Sequence, residues 1–429
     1  MIYGSNKQYS WSHGVEPLSE HEARQFLRHA TRVRSLCLPT PEHFHLLTVL
    51  PIETCAFPRL LSLSWPNRHM NTRHLLLFLS HTLHRCYLTV FHSNLSSLGT
   101  RCPALEDLSI ISAKHITDQV FLLSETVRSC KRLVRLHCPQ LDFAAWNHLS
   151  KLPTLLEVTI FDRVHGPSDT SQNNLNFSSF LNVTSLIFFV DTAADIITVM
   201  QRSEFPSLKR FKMCASILSS AEARRLCQAL SQCKACQTLE HIDIASPLGD
   251  SGNPLTAIQL FLGFIQLRTL KLSVHCPIYL DDALLLEAMS SWPHIIVMEL
   301  TGVPCRPPTV TFRGLIAALR QCSHLHTLRV LVDAVNINSD SRVELFQHTS
   351  LQALDVGSSR ADDAEAIARI ISSVLPRVHW VNYQLDGGSH LVWEEVNRRL
   401  ELFAALDRGV AGLQDSHVQE FSWSCSGMF

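Results

Sequence analysis

The chain has 429 residues, 46% hydrophobic and 17% charged, enough apolar material for a continuous core and unlike the composition of a disordered chain. Its 37 Lys and Arg against 38 Asp and Glu leave a formal net charge of −1 with no basic run, which argues against a general nucleic-acid or acidic-membrane binder. The segment Met1 to Glu16 is polar and lacks the apolar core of a secretion signal, and apolar runs such as Ser185 to Met200 are broken by Asp191 and Asp195, so we expect an intracellular protein, cytoplasmic or nuclear.

In that compartment the 14 cysteines are expected to stay reduced, and the sequons at Asn94, Asn176 and Asn182 to go unused. A chain this long normally divides into several cores, unless it is a repeat array that grows in one dimension.

Residues 1–31 form a lead-in with a short helix, Glu20 to Ala30, for which Ser19 is the N-cap. From residue 32 a pattern of Leu-x-x-Leu-x-apolar recurs, as in Leu133/Leu136/Cys138, Leu208/Phe211/Met213, Leu267/Leu270/Leu272 and Leu351/Leu354/Val356. The first apolar residue of each unit marks it: Val33, Leu60, Leu83, Leu105, Leu133, Leu155, Val183, Leu208, Leu239, Leu267, Ile295, Leu325, Leu351 and Val378. Steps run from 22 residues (Leu83 to Leu105) to 31 (Leu208 to Leu239), close to the 20 to 29 residues of a leucine-rich repeat.

The alternation after each marker predicts a short strand buried on one side, and the stretches between markers carry helical periodicity. The clearest helices are His115 to Cys130, Ser220 to Cys233, Asp281 to Trp292, Thr311 to Cys322 and Ala361 to Leu375. Proline two residues before the marker, at Pro58, Pro103, Pro153, Pro206, Pro293 and Pro376, ends the helix because it disfavours continued α conformation before it. Three residues before the marker, Cys102, Cys130, Cys236 and Cys322 take a place that other units give to Phe57, Phe205, Phe264, Trp292 or Leu375, a core position filled by a small hydrophobe.

The fold class is therefore α/β: a leucine-rich-repeat solenoid of about 14 degenerate units over residues 32–385, with a parallel sheet on the concave face and helices on the convex face. Polar insertions at Arg163 to Asn176 and Ser246 to Pro254 are expected to project as loops. Residues 386–429 follow: a turn at Asp386-Gly387-Gly388, a helix from Ser389 to about Leu406 whose face of Val392, Val396, Leu400 and Phe403 covers the final repeat, and a tail from Gly409.

The lead-in Arg24-Gln25-Phe26-Leu27-Arg28-His29-Ala30-Thr31-Arg32-Val33-Arg34-Ser35-Leu36, followed by units such as Cys102-Pro103-Ala104-Leu105 and Phe205-Pro206-Ser207-Leu208, resembles the region after the F-box in F-box/leucine-rich-repeat proteins of mushroom-forming fungi. The resemblance spans nearly the whole chain. It implies target recognition by the repeats, with a Skp-type adaptor of a cullin ubiquitin ligase held by an N-terminal F-box. The lead-in here starts too close to Met1 for that box, so an adaptor partner is expected only if an upstream F-box exists, and the box is either truncated away or lost.

Candidate chemistry is sparse. Gly249-Asp250-Ser251-Gly252 matches the nucleophile motif of trypsin-like proteases, but it lies between a repeat strand and a helix, flanked by Pro247 and Pro254, and reads as a turn. Cys227, Cys233, Cys236 and His241 offer thiolate and imidazole with only one close pair, and because Cys236 takes the repeated core position and Cys227 falls on the preceding helix they read as ordinary packing. His43/His45 and His324/His326 lack a ligand helix, and no phosphate-binding loop or dinucleotide fingerprint occurs, so no catalytic residue, metal or cofactor is expected.

The informative surface is the concave sheet, where residues two, four and six places after each marker point outward. At the fourth place Lys212, Asp243, Lys271, Glu299, Arg329 and Asp355 alternate in sign across six strands. Farther toward the N-terminus Tyr87, Ile111, Phe161, Ile187 and Phe189 make the same face more apolar. The ladder fits either a self-neutralising structural strip or a recognition strip for an unknown protein target. The reading is a non-catalytic interaction solenoid; an adaptor or inhibitor unrelated to ubiquitin, and a hydrolase using Ser251, are the alternatives.

Overall fold

Each marker is followed two residues later by a strand, except the last, where the interval is three. The computed structural model describes residues 16–38, 44–51, 53–66, 72–89, 95, 97–111, 117–161, 177–303, 309–335, 337, 346–385 and 389–410. The strands are β1 (Ser35–Cys37), β2 (Ser62–Trp65), β3 (Arg85–Leu88), β4 (Asp107–Ile110), β5 (Arg135–Cys138), β6 (Glu157–Phe161) and β7 (Ser185–Val190). They continue as β8 (Arg210–Ala215), β9 (His241–Ala245), β10 (Thr269–Ser273), β11 (Val297–Thr301), β12 (Thr327–Arg329), β13 (Ala353–Asp355) and β14 (Val381–Asn382). They form one open, parallel, 14-stranded sheet in strict sequence order, the topology of a leucine-rich-repeat solenoid.

The core side of every strand repeats the same device. In β10, Leu270 and Leu272 are buried and stand opposite Ile242 and Ile244 on one side and Met298 and Leu300 on the other. The marker residues from Leu60 to Val378 are likewise sealed, so each repeat buries its apolar side chains against its neighbours and the core runs along the stack.

Eleven α-helices complete the described chain: α1 (Glu20–Ala30), α2 (Leu98–Arg101), α3 (Thr117–Ser129), α4 (Phe143–Ser150), α5 (Ala194–Gln201), α6 (Ser220–Gln232), α7 (Ala257–Phe261), α8 (Asp282–Ser291), α9 (Phe312–Leu319), α10 (Ala364–Val374) and α11 (His390–Val410). Ser19 caps α1 as expected, and Glu22 adds the reciprocal bond of a capping box. The expectation that every unit pairs its strand with an α-helix is corrected in the first units, where 3-10 helices at Phe44–Leu47 and Thr72–Phe78 precede β2 and β3. A 3-10 segment rises about 2.0 Å per residue against 1.5 Å for an α-helix, so it crosses the same distance with fewer residues.

Polar bonds lock neighbouring repeats together at both ends of the strands. Before the strands, Thr154 donates its hydroxyl to the Leu133 carbonyl (2.7 Å), Ser207 to Leu181 (2.5 Å) and Thr238 to Leu208 (2.9 Å), while the Asn182 amide donates to Pro153 (2.7 Å). On the helical side, the Thr311 N–H and hydroxyl both donate to the Asp282 carboxylate (2.7 Å each). That contact leaves no room for a side chain at Gly314, where a Cβ would collide with the Asp282 carboxylate.

Three of the four cysteines that precede markers are core residues. Cys102, Cys130 and Cys322 are buried, and burial pushes each thiol up to about 12. Cys236 corrects the pattern: it is half-buried, and Ala235 takes the sealed place instead. The turn after α6 holds one more residue, absorbed by Lys234 in the left-handed region at φ 64°, and Leu239 then bonds back to Ala235, four residues away, rather than three.

The last strand is closed by a side chain. Asn397 on α11 accepts the Val381 N–H (2.8 Å) and returns its own amide N–H to the Val381 carbonyl (3.0 Å), reproducing the bonds of a further strand. Trp393 donates its indole N–H to the Ser359 carbonyl (2.9 Å) from within the same buried interface. The turn at 386–388, the insertion at 163–176, and Asn94, Asn176 and His43 lie outside the described residues. No described helix is long and apolar enough to cross a membrane.

Two stability outcomes follow from these positions. Leu270→Ala removes a fully sealed side chain and should cost about 2 to 5 kcal/mol, read in urea unfolding, whereas Ser251→Ala, in an exposed turn, should leave the curve on the wild type. Asn397→Asp replaces the amide donor with a second acceptor facing the Val381 carbonyl. Amide exchange at Val381 should then rise by an amount corresponding to about 1 to 3 kcal/mol, with β4 to β8 unaffected.

Candidate functional site

Parallel pairing places the six charges of the fourth column on adjacent strands in the register Lys212↔Asp243↔Lys271↔Glu299↔Arg329↔Asp355. The side chains do not share their charge evenly along the column. Ion pairs within 4 Å form in three dyads: Lys212–Asp243 (3.0 Å), Lys271–Glu299 (2.8 Å) and Arg329–Asp355 (3.1 Å). A flexible cation bends toward one carboxylate rather than dividing itself between two strands about 4.8 Å away on either side. All six residues are half-buried, so each pair is partly screened by solvent.

A second ladder, which reasoning confined to the fourth column missed, lies two places after the marker in the earlier repeats. Asp107 on β4 receives Arg85 from β3 (3.5 Å) and Arg135 from β5 (2.6 Å), and Glu157 on β6 continues the alternation. The same period-two counting, applied one pair earlier, identifies it. A flanking row one place after the marker adds Lys209–Glu240 (3.5 Å) and Arg268–Glu240 (3.7 Å).

The ladders do not meet. Ser185 on β7 interrupts the second column, between Glu157 on β6 and Arg210 on β8. Arg135 turns toward Asp107, and neither Glu157 nor Arg210 has an ion pair within 4 Å among the described residues. Arg210 stands beside His241, whose imidazole is held below its ordinary range by burial first and by Arg210 next.

Apolar side chains occupy the same interruption farther along the strands. Phe161 and Phe189 stack face to face, centroids 5.5 Å apart and planes 5° apart, with His137 tilted against Phe161 at 6.4 Å. Ile187 lies between Thr159 and Lys212 in the fourth column. Of the five expected apolar residues, Phe161, Ile187 and Phe189 form one patch on β6 and β7. Tyr87 on β3 and Ile111, just after β4, are set apart from it by β5. An open groove of about 610 Å³ lies where the strands begin, three to five residues before the patch, lined by Val134, Leu156, Thr184 and Lys209 among others.

The other candidates are placed elsewhere. Asp250 accepts the Ser220 N–H at the start of α6 (2.5 Å), a bond that holds its carboxyl below the usual range, and Ser251 follows it in the exposed turn. Cys227 is buried within α6 and Cys233 caps it, whereas His241 faces the concave side on β9. Among the described residues no three His, Cys, Asp or Glu side chains converge as a metal site would require.

No protein-family model and no curated protein matches this chain. Among solved structures, a leucine-rich-repeat protein of Leptospira interrogans aligns over 87% of this chain and 85% of its own at 15% identity, with a TM-score of 0.37. The complex of Rad7 and Elc1 in yeast aligns over 76% of this chain and 83% of that chain at 15% identity, with a TM-score of 0.34. Likenesses of this size carry no inference about function.

The dyads make the ladder testable. Lys271→Glu breaks the bond to Glu299 and leaves carboxylates on β9, β10 and β11, which should cost about 1 kcal/mol at low salt and less as salt is raised. Adding Glu299→Lys restores an attractive pair between β10 and β11 while setting the new lysine opposite Arg329, so a double variant more stable than the single one shows that bonds within the dyads outweigh contacts between them. A neutral Lys271→Glu at low salt would show that the column contributes nothing to stability.

Proposed function

We propose that the chain is a non-catalytic protein-interaction solenoid that holds a protein target on its concave face, the role implied by its resemblance to the target-recognition region of F-box/leucine-rich-repeat proteins. The observation that carries this reading is the half-exposed Phe161–Phe189 stack beside Ile187, lying where both charge ladders are interrupted. On either side of it, outward charges are drawn into ion pairs with neighbouring strands, as at Arg85–Asp107–Arg135 and in the three dyads from Lys212 to Asp355. An apolar patch of this kind offers surface whose removal from water favours association.

On this reading Tyr87, Ile111, Phe161, Ile187 and Phe189 supply contact area, while Lys212, Asp243, Lys271, Glu299, Arg329 and Asp355 maintain register and limit which partners fit. Like-charge contacts against a dense ladder reject mismatched surfaces more strongly than matched ones add affinity. A link to ubiquitin transfer would come through a Skp-type adaptor, and capture of that adaptor in the same experiment separates this role from that of an unconnected adaptor or inhibitor.

Placing a photo-cross-linking residue at Ile187 and, in a second variant, at Phe121, which is 59% exposed on α3, compares the two faces directly. Cross-linked adducts in cell extract should appear from the Ile187 position and be absent from the Phe121 position. Equal labelling from both, or none from Ile187, would remove the concave-face reading.

A further inference from the structure

Along the concave sheet from β3 to β6, and again from β8 to β13, charged residues in the outward columns alternate in sign from one strand to the next. The exception is the step from Glu157 through Ser185 to Arg210, which leaves a carboxylate and a guanidinium two strands apart, roughly 10 Å. Arg210 is exposed and, among the described residues, has no carboxylate within 4 Å, while Lys212 on the same strand is already committed to Asp243 at 3.0 Å. From Arg210 the outward positions run to Ile187, level with Lys212, and then to Phe189, stacked on Phe161.

These three levels are two residues apart along the strands, about 6.6 Å per step at 3.3 Å per residue. An extended chain presents alternate side chains to one face at the same spacing. We infer that this interruption is a recognition site for an extended protein segment carrying one acidic residue followed, two and four places on, by apolar residues, with the acid on Arg210 and the apolar pair on Ile187 and the Phe161–Phe189 stack. The inference rests on the concave-face reading above and specifies the partner's chemistry.

Glu157 sharpens the choice. A second carboxylate displaced toward β6 meets its charge instead of a cation, so the site accepts one acid in one register. The groove lined by Leu156, Thr184 and Lys209, each the chain neighbour of a residue in the interruption, gives the segment a path onto the face from the side where the strands begin.

The probe is an array of short, terminally blocked peptides of the form acid-x-apolar-x-apolar with the other places varied, set against the same array with Lys replacing the acid. Binding is measured to the whole chain. Acidic members should bind about fivefold more tightly than their Lys counterparts, the span of one exposed ion pair. Arg210→Gln should remove that preference, Arg210→Glu should invert it, and Ile187→Ser should weaken both arrays alike. Urea unfolding of each variant confirms that the fold is retained, and Arg398→Glu, exposed on α11 at the far end of the stack, should leave the preference unchanged.

Equal binding of the two arrays, or an acidic preference that survives Arg210→Gln, overturns the inference. If no peptide binds while cross-linking from Ile187 persists, the partner is not an extended acidic segment and the concave-face reading stands. Loss of both signals removes both.

Discussion

No repeat in this chain buries its own apolar face. Leu270 and Leu272 are sealed only because Ile242 and Ile244 lie on one side and Met298 and Leu300 on the other, and the same holds for each strand within the sheet. Stability is consequently a sum of interfaces between neighbours rather than the property of one central core. The inter-repeat hydroxyl bonds of Thr154, Ser207 and Thr238 reinforce this pattern, because each satisfies a carbonyl in the previous repeat.

Such a stack has two ends, and they differ. At the C-terminal end α11 supplies Asn397 as a surrogate strand, with Trp393, Val396 and Leu400 buried against the final repeat. At the other end α1 precedes β1, where Val33 and Leu36 remain half-buried although their counterparts in the interior are sealed. An edge strand with free backbone groups is a place where pairing continues; Asn397 prevents that at β14 by occupying both groups of Val381.

The outward face obeys a separate constraint. Neighbouring strands hold side chains about 4.8 Å apart, so like charges in one column repel across every pair. Alternation removes that repulsion, and it does so in two different columns, one at Arg85, Asp107 and Arg135 and the other from Lys212 to Asp355. Where the charge moves from one column to the other, at β7, aromatic and aliphatic residues fill the face and Arg210 has no carboxylate within 4 Å among the described residues. The most chemically distinctive part of the surface is thus where the stabilising pattern changes column.

The repeating apolar positions were legible in the sequence, because a period of two within a strand and a step of 22 to 31 residues between strands are both written in residue types. So were the parallel order, the α1 cap and the sign alternation from Lys212 to Asp355, since each follows from counting along regular units. Side-chain geometry was decided by the tertiary structure. Only the folded stack shows that Lys271 bends toward Glu299 rather than Asp243, that Ala235 displaces Cys236 from the core by one residue of turn, and that an amide on α11 completes β14. These outcomes depend on torsions and on contacts between residues 16 to 31 positions apart, and a linear pattern carries the identities of such residues but not the directions in which their side chains turn.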